Sequence, residues 1–123
     1  MKIFNITRKT ALAEKAEVAQ SPWQKTKGLM LRGALEKNSG LLMDFESEKK
    51  PGIWMPLMKF PLDLIFISAD KKVVDAKENV RPISFDFRTW RIYVPKEKCR
   101  WVLELNAGKI SETKTNIGDV IKF

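Results

Sequence analysis

The sequence contains no histidine. That absence removes the Ser–His–Asp triad, the His-ligated zinc site and the imidazole proton shuttle. Cys99 is the single cysteine, so there is no intrachain disulfide and no paired-cysteine metal or redox motif. No stretch approaches the ~18 consecutive apolar residues of a membrane-spanning helix. The N-terminal run Met1-Lys2-Ile3-Phe4-Asn5-Ile6-Thr7-Arg8-Lys9 turns polar too soon for a secretory signal, so a cytoplasmic location without membrane attachment is expected. Glutamine occurs only at Gln20 and Gln24, and this scarcity, with Lys/Glu richness, tilts the composition toward that of thermophilic proteins.

What is present is a chain of 123 residues, 44% hydrophobic and 31% charged, the balance of one soluble globular domain over 1–123. A chain of this length buries roughly two-thirds of its unfolded surface and needs no staples. The net charge is +8 and the pI is near 9.7. Residues 1–62 carry +5 and residues 63–123 carry +3. A basic excess spread this evenly gives weak, nonspecific attraction for nucleic acid rather than a designed groove.

Periodicity predicts many short strands. Residues 2–7 and 16–19 read as strands. Ser21-Pro22 opens a helix over 22–32, with serine as cap, proline in the first turn and Gly33 as the stop. After an Asn38-Ser39-Gly40 turn, 41–45 reads as a strand, 46–52 as a charged loop and 53–55 as a short strand. The best hairpin joins 63–68 to 72–76 through Ala69-Asp70-Lys71. Residues 79–96 read as a long excursion, with Tyr93-Val94 extended. In 101–106, Trp101, Leu103 and Leu105 face one way and Val102, Glu104 and Asn106 the other. Ala107-Gly108 ends that strand, and Asn116-Ile117-Gly118-Asp119 turns into a last strand over 120–123. The pattern predicts a mainly-β fold, a small single-domain β-barrel or jelly-roll-like sandwich with one α-helix near residues 22–32.

Three blocks carry a family resemblance: Gly28-Leu29-Met30-Leu31-Arg32; Trp54-Met55 followed by Pro61-Leu62-Asp63-Leu64-Ile65-Phe66-Ile67; and Val102-Leu103-Glu104-Leu105-Asn106-Ala107-Gly108 with Gly118-Asp119 after it. In this order and spacing they resemble the archaeal and bacterial family known as domain of unknown function 192, over about residues 16–123. The resemblance implies a compact β-barrel or jelly-roll-like domain with one helix, and no activity. The family usually continues Trp-Met with Lys-Asn-Thr, whereas here Pro56, Leu57 and Met58 follow. A family function resting on that Lys and Asn is lost or altered in this chain.

Each chemical candidate has a plain structural alternative. Arg32 ends the expected helix, where it either clamps an anion or complements the helix dipole. Trp54 and Met55 suit an apolar pocket or ordinary core. If their two strands are neighbours, Asp63 and Glu104 would form a paired-carboxylate hydrolase site, a chemistry that needs neither histidine nor metal. Separately, Asp63 caps a turn and Glu104 pairs with a surface cation, while Asn106-Ala107-Gly108 ends its strand by bonding its own backbone. The stretch 79–101 interleaves Arg81, Arg88, Arg91, Lys96, Lys98 and Arg100 with Phe85, Phe87, Trp90, Tyr93 and Trp101. Such a stretch either stacks on single-stranded nucleic acid or pins a loop to the core. Cys99 has cationic neighbours in sequence and no base, so it reads as structural.

Weighed together, these features favour a non-catalytic binding domain with a shallow site near the Trp-Met and Pro-Leu-Asp blocks. Its expected ligand-binding residues are Arg32, Trp54, Met55, Asp63 and Glu104, for a small-molecule or protein ligand, with no metal and no cofactor. The alternatives are single-stranded nucleic-acid binding through 79–101, and a hydrolase using Asp63 and Glu104.

Overall fold

The computed structural model describes residues 1–20, 35–54, 60–81 and 92–123, with backbone alone at Trp54 and Ile92. The helix expected over 22–32, and Arg32 with it, lies outside the described residues, as does Met55.

The described chain is built from ten strands and one short helix: β1 (Ile3–Asn5), β2 (Thr10–Ala13), β3 (Lys15–Ala19), β4 (Ser39–Lys49), β5 (Ile53–Trp54), β6 (Leu62–Ile67), β7 (Val73–Val80), β8 (Ile92–Tyr93), β9 (Cys99–Asn106), α1 (Lys109–Thr113) and β10 (Ile121–Lys122). A five-stranded sheet runs β3-β4-β9-β6-β7, a three-stranded sheet runs β10-β1-β2, and β5 pairs with β8 in a two-stranded ribbon. The mainly-β expectation stands. Among the described strands the large sheet keeps two separate edges, β3 and β7, so the arrangement is layered rather than a closed barrel.

Burial explains the layering. All six residues of β6 are buried, so this strand is covered on both faces, as its unbroken apolar run requires. On one face Leu42, Ile65, Ile67, Leu103 and Leu105 pack against Ile3, Leu12 and Ile121 of the small sheet and Ile110 of α1. On the other, Leu41, Leu62, Leu64, Phe66 and Val102 pack with Leu35, with Ile53 of the ribbon and with the partly buried Tyr93. The last strand ties the layers together: Gly118 N–H donates to the Val73 carbonyl at 2.8 Å and Ile121 N–H to that of Lys71 at 2.8 Å.

Several boundaries differ from expectation for local reasons. β2 escapes the sequence pattern because it is short and follows a tight turn in which Lys9 takes φ 58°. β4 runs to Lys49 instead of stopping before the charged stretch. Its register on β9 jumps from Asp44–Trp101 to Lys49–Cys99, a bulge that holds Glu46 at φ 67°. Gly40 belongs to β4 rather than to a turn. Opposite Leu105, a Cβ there would come within 2.9 Å of the Leu105 side chain and 3.2 Å of the Glu104 carbonyl. β3 and β4 are parallel, which alternation alone does not reveal.

Candidate functional site

Asp63 and Glu104 come from adjacent strands but not from one face. Asp63 is opposite Leu105 and Leu64 is opposite Glu104, and side chains alternate along a strand. Asp63 therefore points to the small-sheet side and Glu104 to the ribbon side. This corrects the paired-carboxylate expectation, because the sheet itself separates the two groups.

Asp63 is fully buried and fully engaged. One carboxylate oxygen accepts the N–H of Asn79 at 2.9 Å; the other accepts those of Gly108 at 3.1 Å and Ile110 at 2.9 Å. The cap residue of α1, Gly108 at φ 97°, supplies no side chain, so Asp63 caps the helix start from a different strand. The Pro-Leu-Asp and Asn-Ala-Gly blocks thus meet in one structural joint, and Asp63 leaves the expected ligand-binding set. Asn106, expected to bond its own backbone, instead donates from Nδ2 to the Leu35 carbonyl at 3.0 Å.

The Gly-Asp pair of the C-terminal block is another joint. Asp119 accepts from Asn5 Nδ2 and Arg8 Nε, both at 3.0 Å, and from Asn116 N–H at 2.9 Å. Burial pushes this carboxyl's pKa up, but the hydrogen bonds and the Arg8 charge outweigh it and hold the group below the usual carboxylate range.

Glu104 is the exception among these acids. It is 6% exposed, between Leu41 on β4 and Leu64 on β6, in line with Val102. No hydrogen bond or ion pair reaches its carboxylate among the described residues. Burial pushes its pKa up to about 7. This departs from the expectation of a surface pair with a cation. The row across the sheet reads Glu17, Leu41, Glu104, Leu64, Lys77, and Lys77 is held by Asp75 at 3.4 Å.

The Trp-Met block begins on the same side of the molecule, since Ile53 of β5 and Tyr93 of β8 both pack on the ribbon-side core. Of the five expected ligand residues, Glu104 therefore shares a face with the strand carrying Trp54, Asp63 lies behind the sheet, and Arg32 and Met55 are outside the described residues.

In the basic-aromatic stretch, the described aromatic groups and Arg100 are engaged within the fold. Trp101 is 7% exposed, packs edge-on to Phe123 with centroids 5.0 Å apart, and carries the Arg100 guanidinium 4.6 Å from its ring centre. Arg100 also binds Asp44 at 3.3 Å. Arg81, Lys96 and Lys98 are exposed, while Phe85, Phe87, Arg88, Trp90 and Arg91 lie outside the described residues. Cys99 is buried, and burial together with the charge of Glu48 pushes its thiol pKa up to about 12, the opposite of activation. Among the described residues no three of Asp, Glu and Cys converge to ligate a metal, and no helix is long and apolar enough to cross a membrane.

Comparison with known proteins agrees with the blocks and the fold. A UPF0127 protein of Pyrococcus abyssi is 29% identical over 125 residues, covering 98% of this chain and 96% of that protein. A UPF0127 protein of Thermococcus sibiricus is 27% identical over 121 residues, covering 98% and 73%. A crystal structure from Sinorhizobium meliloti, described as "a putative transcription regulator", superposes with a TM-score of 0.83 at 29% identity, covering 98% of this chain and 89% of that one. A protein of unknown function from Novosphingobium aromaticivorans gives 0.77 at 25% identity, covering 88% and 74%. The model of domain of unknown function 192, described as "Uncharacterized ACR", matches residues 4–123, and the chain belongs to that family of uncharacterised proteins.

Proposed function

We propose that this chain is a small, non-catalytic cytoplasmic binding domain whose ligand sits on the ribbon-side face of the five-stranded sheet, at Glu104. The observation that carries this reading is the lone carboxyl of Glu104, buried among leucines with no described partner. An ionisable group in such a place is costly to the fold, and a purely structural core position favours an apolar side chain. Groups kept under that penalty cluster at binding and catalytic sites. The Asp63–Glu104 pair does not supply a catalytic dyad, since Asp63 is committed behind the sheet to three N–H donors.

The test is a fragment screen by ligand-observed NMR on the full chain and on Glu104→Gln. Fragments that bind wild type and lose about tenfold or more in affinity in the variant support the reading, a loss of ~1.4 kcal/mol. Fragments that bind both proteins equally, or that shift resonances around Ile3, Leu12 and Ile110 instead, overturn it.

The description of the Sinorhizobium relative as a regulator raises nucleic acid as a second reading. The burial of Trp101 and the engagement of Arg100 speak against a stacking surface in the described part of 79–101. Fluorescence anisotropy with single-stranded RNA and DNA should show weak binding that fades steeply with salt. Submicromolar binding that persists at about 150 mM salt and falls in Trp90→Ala would favour nucleic acid instead.

A further inference from the structure

We infer that the outer face of the small sheet carries a second site, a groove for a free alkyl carboxylate, with the carboxylate on Lys122 and the chain against Phe4 and Ala11. The groove lies on the far side of the small sheet from Glu104 and does not rest on the reading above.

Three observations lead there. First, β1 is two-sided. Ile3 and Asn5 are fully buried on the core side, whereas Phe4 between them is 37% exposed and Ile6 beyond them 44% exposed. Alternation along the strand therefore turns apolar side chains outward.

Second, that face holds a cavity. Phe4 is opposite Lys122 of β10 on one side and Ala11 of β2 on the other. The register on β2 jumps from Ile3–Ala13 to Phe4–Ala11, a bulge that passes over Leu12. Here a cavity of about 480 Å³ opens, with Phe4, Ala11 and Phe123 among its apolar lining residues and Lys2, Glu14 and Lys122 as its charged ones. Its size is that of small-molecule sites, which span roughly 300–1,000 Å³. The small side chain of Ala11 beside Phe4 leaves space that a larger residue would fill.

Third, one cation of the groove is free. Lys2 is paired with Glu14 at 3.7 Å. The main-chain oxygen of Phe123 accepts from Lys71 Nζ at 2.8 Å. The exposed Lys122 has no side-chain hydrogen bond or ion pair among the described residues. An ammonium only donates, and its strongest complement is an anionic acceptor. One free cation beside apolar walls matches a chain with a single negative end. A carboxylate is that end at neutral pH. A phosphate monoester carries nearly two charges and leaves one unmatched.

The experiment titrates the full chain with n-octanoate, n-octanol and n-octylammonium, each below its micelle concentration, and follows amide shifts by NMR. Octanoate should shift Phe4, Ala11 and Lys122 and bind about three- to fivefold more tightly than the other two, the range for one exposed ion pair. Added salt should erase that advantage. Hexanoate should bind several-fold more weakly than octanoate, because each buried CH₂ contributes about fourfold. Lys122→Gln should bring octanoate down to the level of octanol. Ala11→Leu, which fills the groove from an exposed position, should abolish the shifts at Phe4. The folding of each variant is checked by its own amide spectrum. Octanol or octylammonium binding as tightly as octanoate overturns the inference. Octanoate binding that both variants leave unchanged, or that shifts no resonance of the groove, also overturns it. Shifts at Phe4 and Ala11 that follow protein concentration without ligand seat a second copy of the chain there and overturn it as well. Ligands of this groove are told apart from those of the Glu104 face by shifts at Phe4 and Ala11 rather than at Leu41 and Leu64, so the failure of either reading leaves the other standing.

Discussion

Asp63, near the start of β6, accepts the backbone N–H of Ile110 at 2.9 Å, so a carboxylate of the large sheet caps the start of the helix that packs on it. With the Asn79 and Gly108 N–H groups on the same side chain, this acid joins β6, the end of β7 and the turn after β9. We predict that Asp63→Asn lowers stability by about 2–3 kcal/mol, because an amide leaves one or more of these donors unmatched. Chemical denaturation measures it. A change below about 0.5 kcal/mol would mean that the joint contributes little.

Leu103 is fully buried on the small-sheet side of β9, the strand flanked by both β4 and β6. Leu103→Ala should cost about 2–5 kcal/mol through lost burial and the cavity left behind. A denaturation midpoint corresponding to less than about 1 kcal/mol would place Leu103 outside the cooperative core.

Glu104→Gln should stabilise the protein at neutral and alkaline pH. Folding raises the pKa of this carboxyl from 4.5 to about 7, so the folded chain holds the proton more tightly than the unfolded one. Wild-type stability from this group is intact below about pH 4.5 and is lost progressively up to about pH 7. The variant escapes that loss, gaining on the order of 3 kcal/mol over wild type above pH 7 and almost nothing near pH 4. Urea titrations of both proteins across this range test it; a constant difference between them would contradict it.

Cys99 should resist thiol reagents in the native state. It is fully buried, with its thiol pKa pushed up to about 12. Modification by a disulfide reagent at neutral pH should be slow in buffer and fast in denaturant. Rapid stoichiometric labelling of the folded chain would show that the end of β9 opens readily.

Much of this fold is legible in the residues. The apolar run of β6 announces a strand buried on both faces and the alternation of β9 a strand with one apolar face, and Asp63 and Glu104 stand out as acids within them; that β9 is covered on both faces is not legible in its alternation. The alternation even places Glu104 opposite in sense to Leu103 and Leu105. What the chain order does not disclose is register. Only the pairing of Asp63 with Leu105 puts the two acids on opposite faces. The bulge at Glu46 hides the full length of β4, since charged residues in a bulged edge segment read as loop. That Glu104 has no described partner is likewise not legible in the chain order, because it depends on the strand pairing that sets Leu41 and Leu64 beside it.

The central claim is that Glu104 is a buried carboxyl with no partner among the described residues, and its own titration tests that most directly. Carbon-detected NMR on the full chain, with the Glu104 Cδ resonance assigned through Glu104→Gln, should give a midpoint of about 7 in the ligand-free protein. A midpoint at or below the ordinary 4.5 would mean that the carboxylate is solvated or already paired, and would contradict the account.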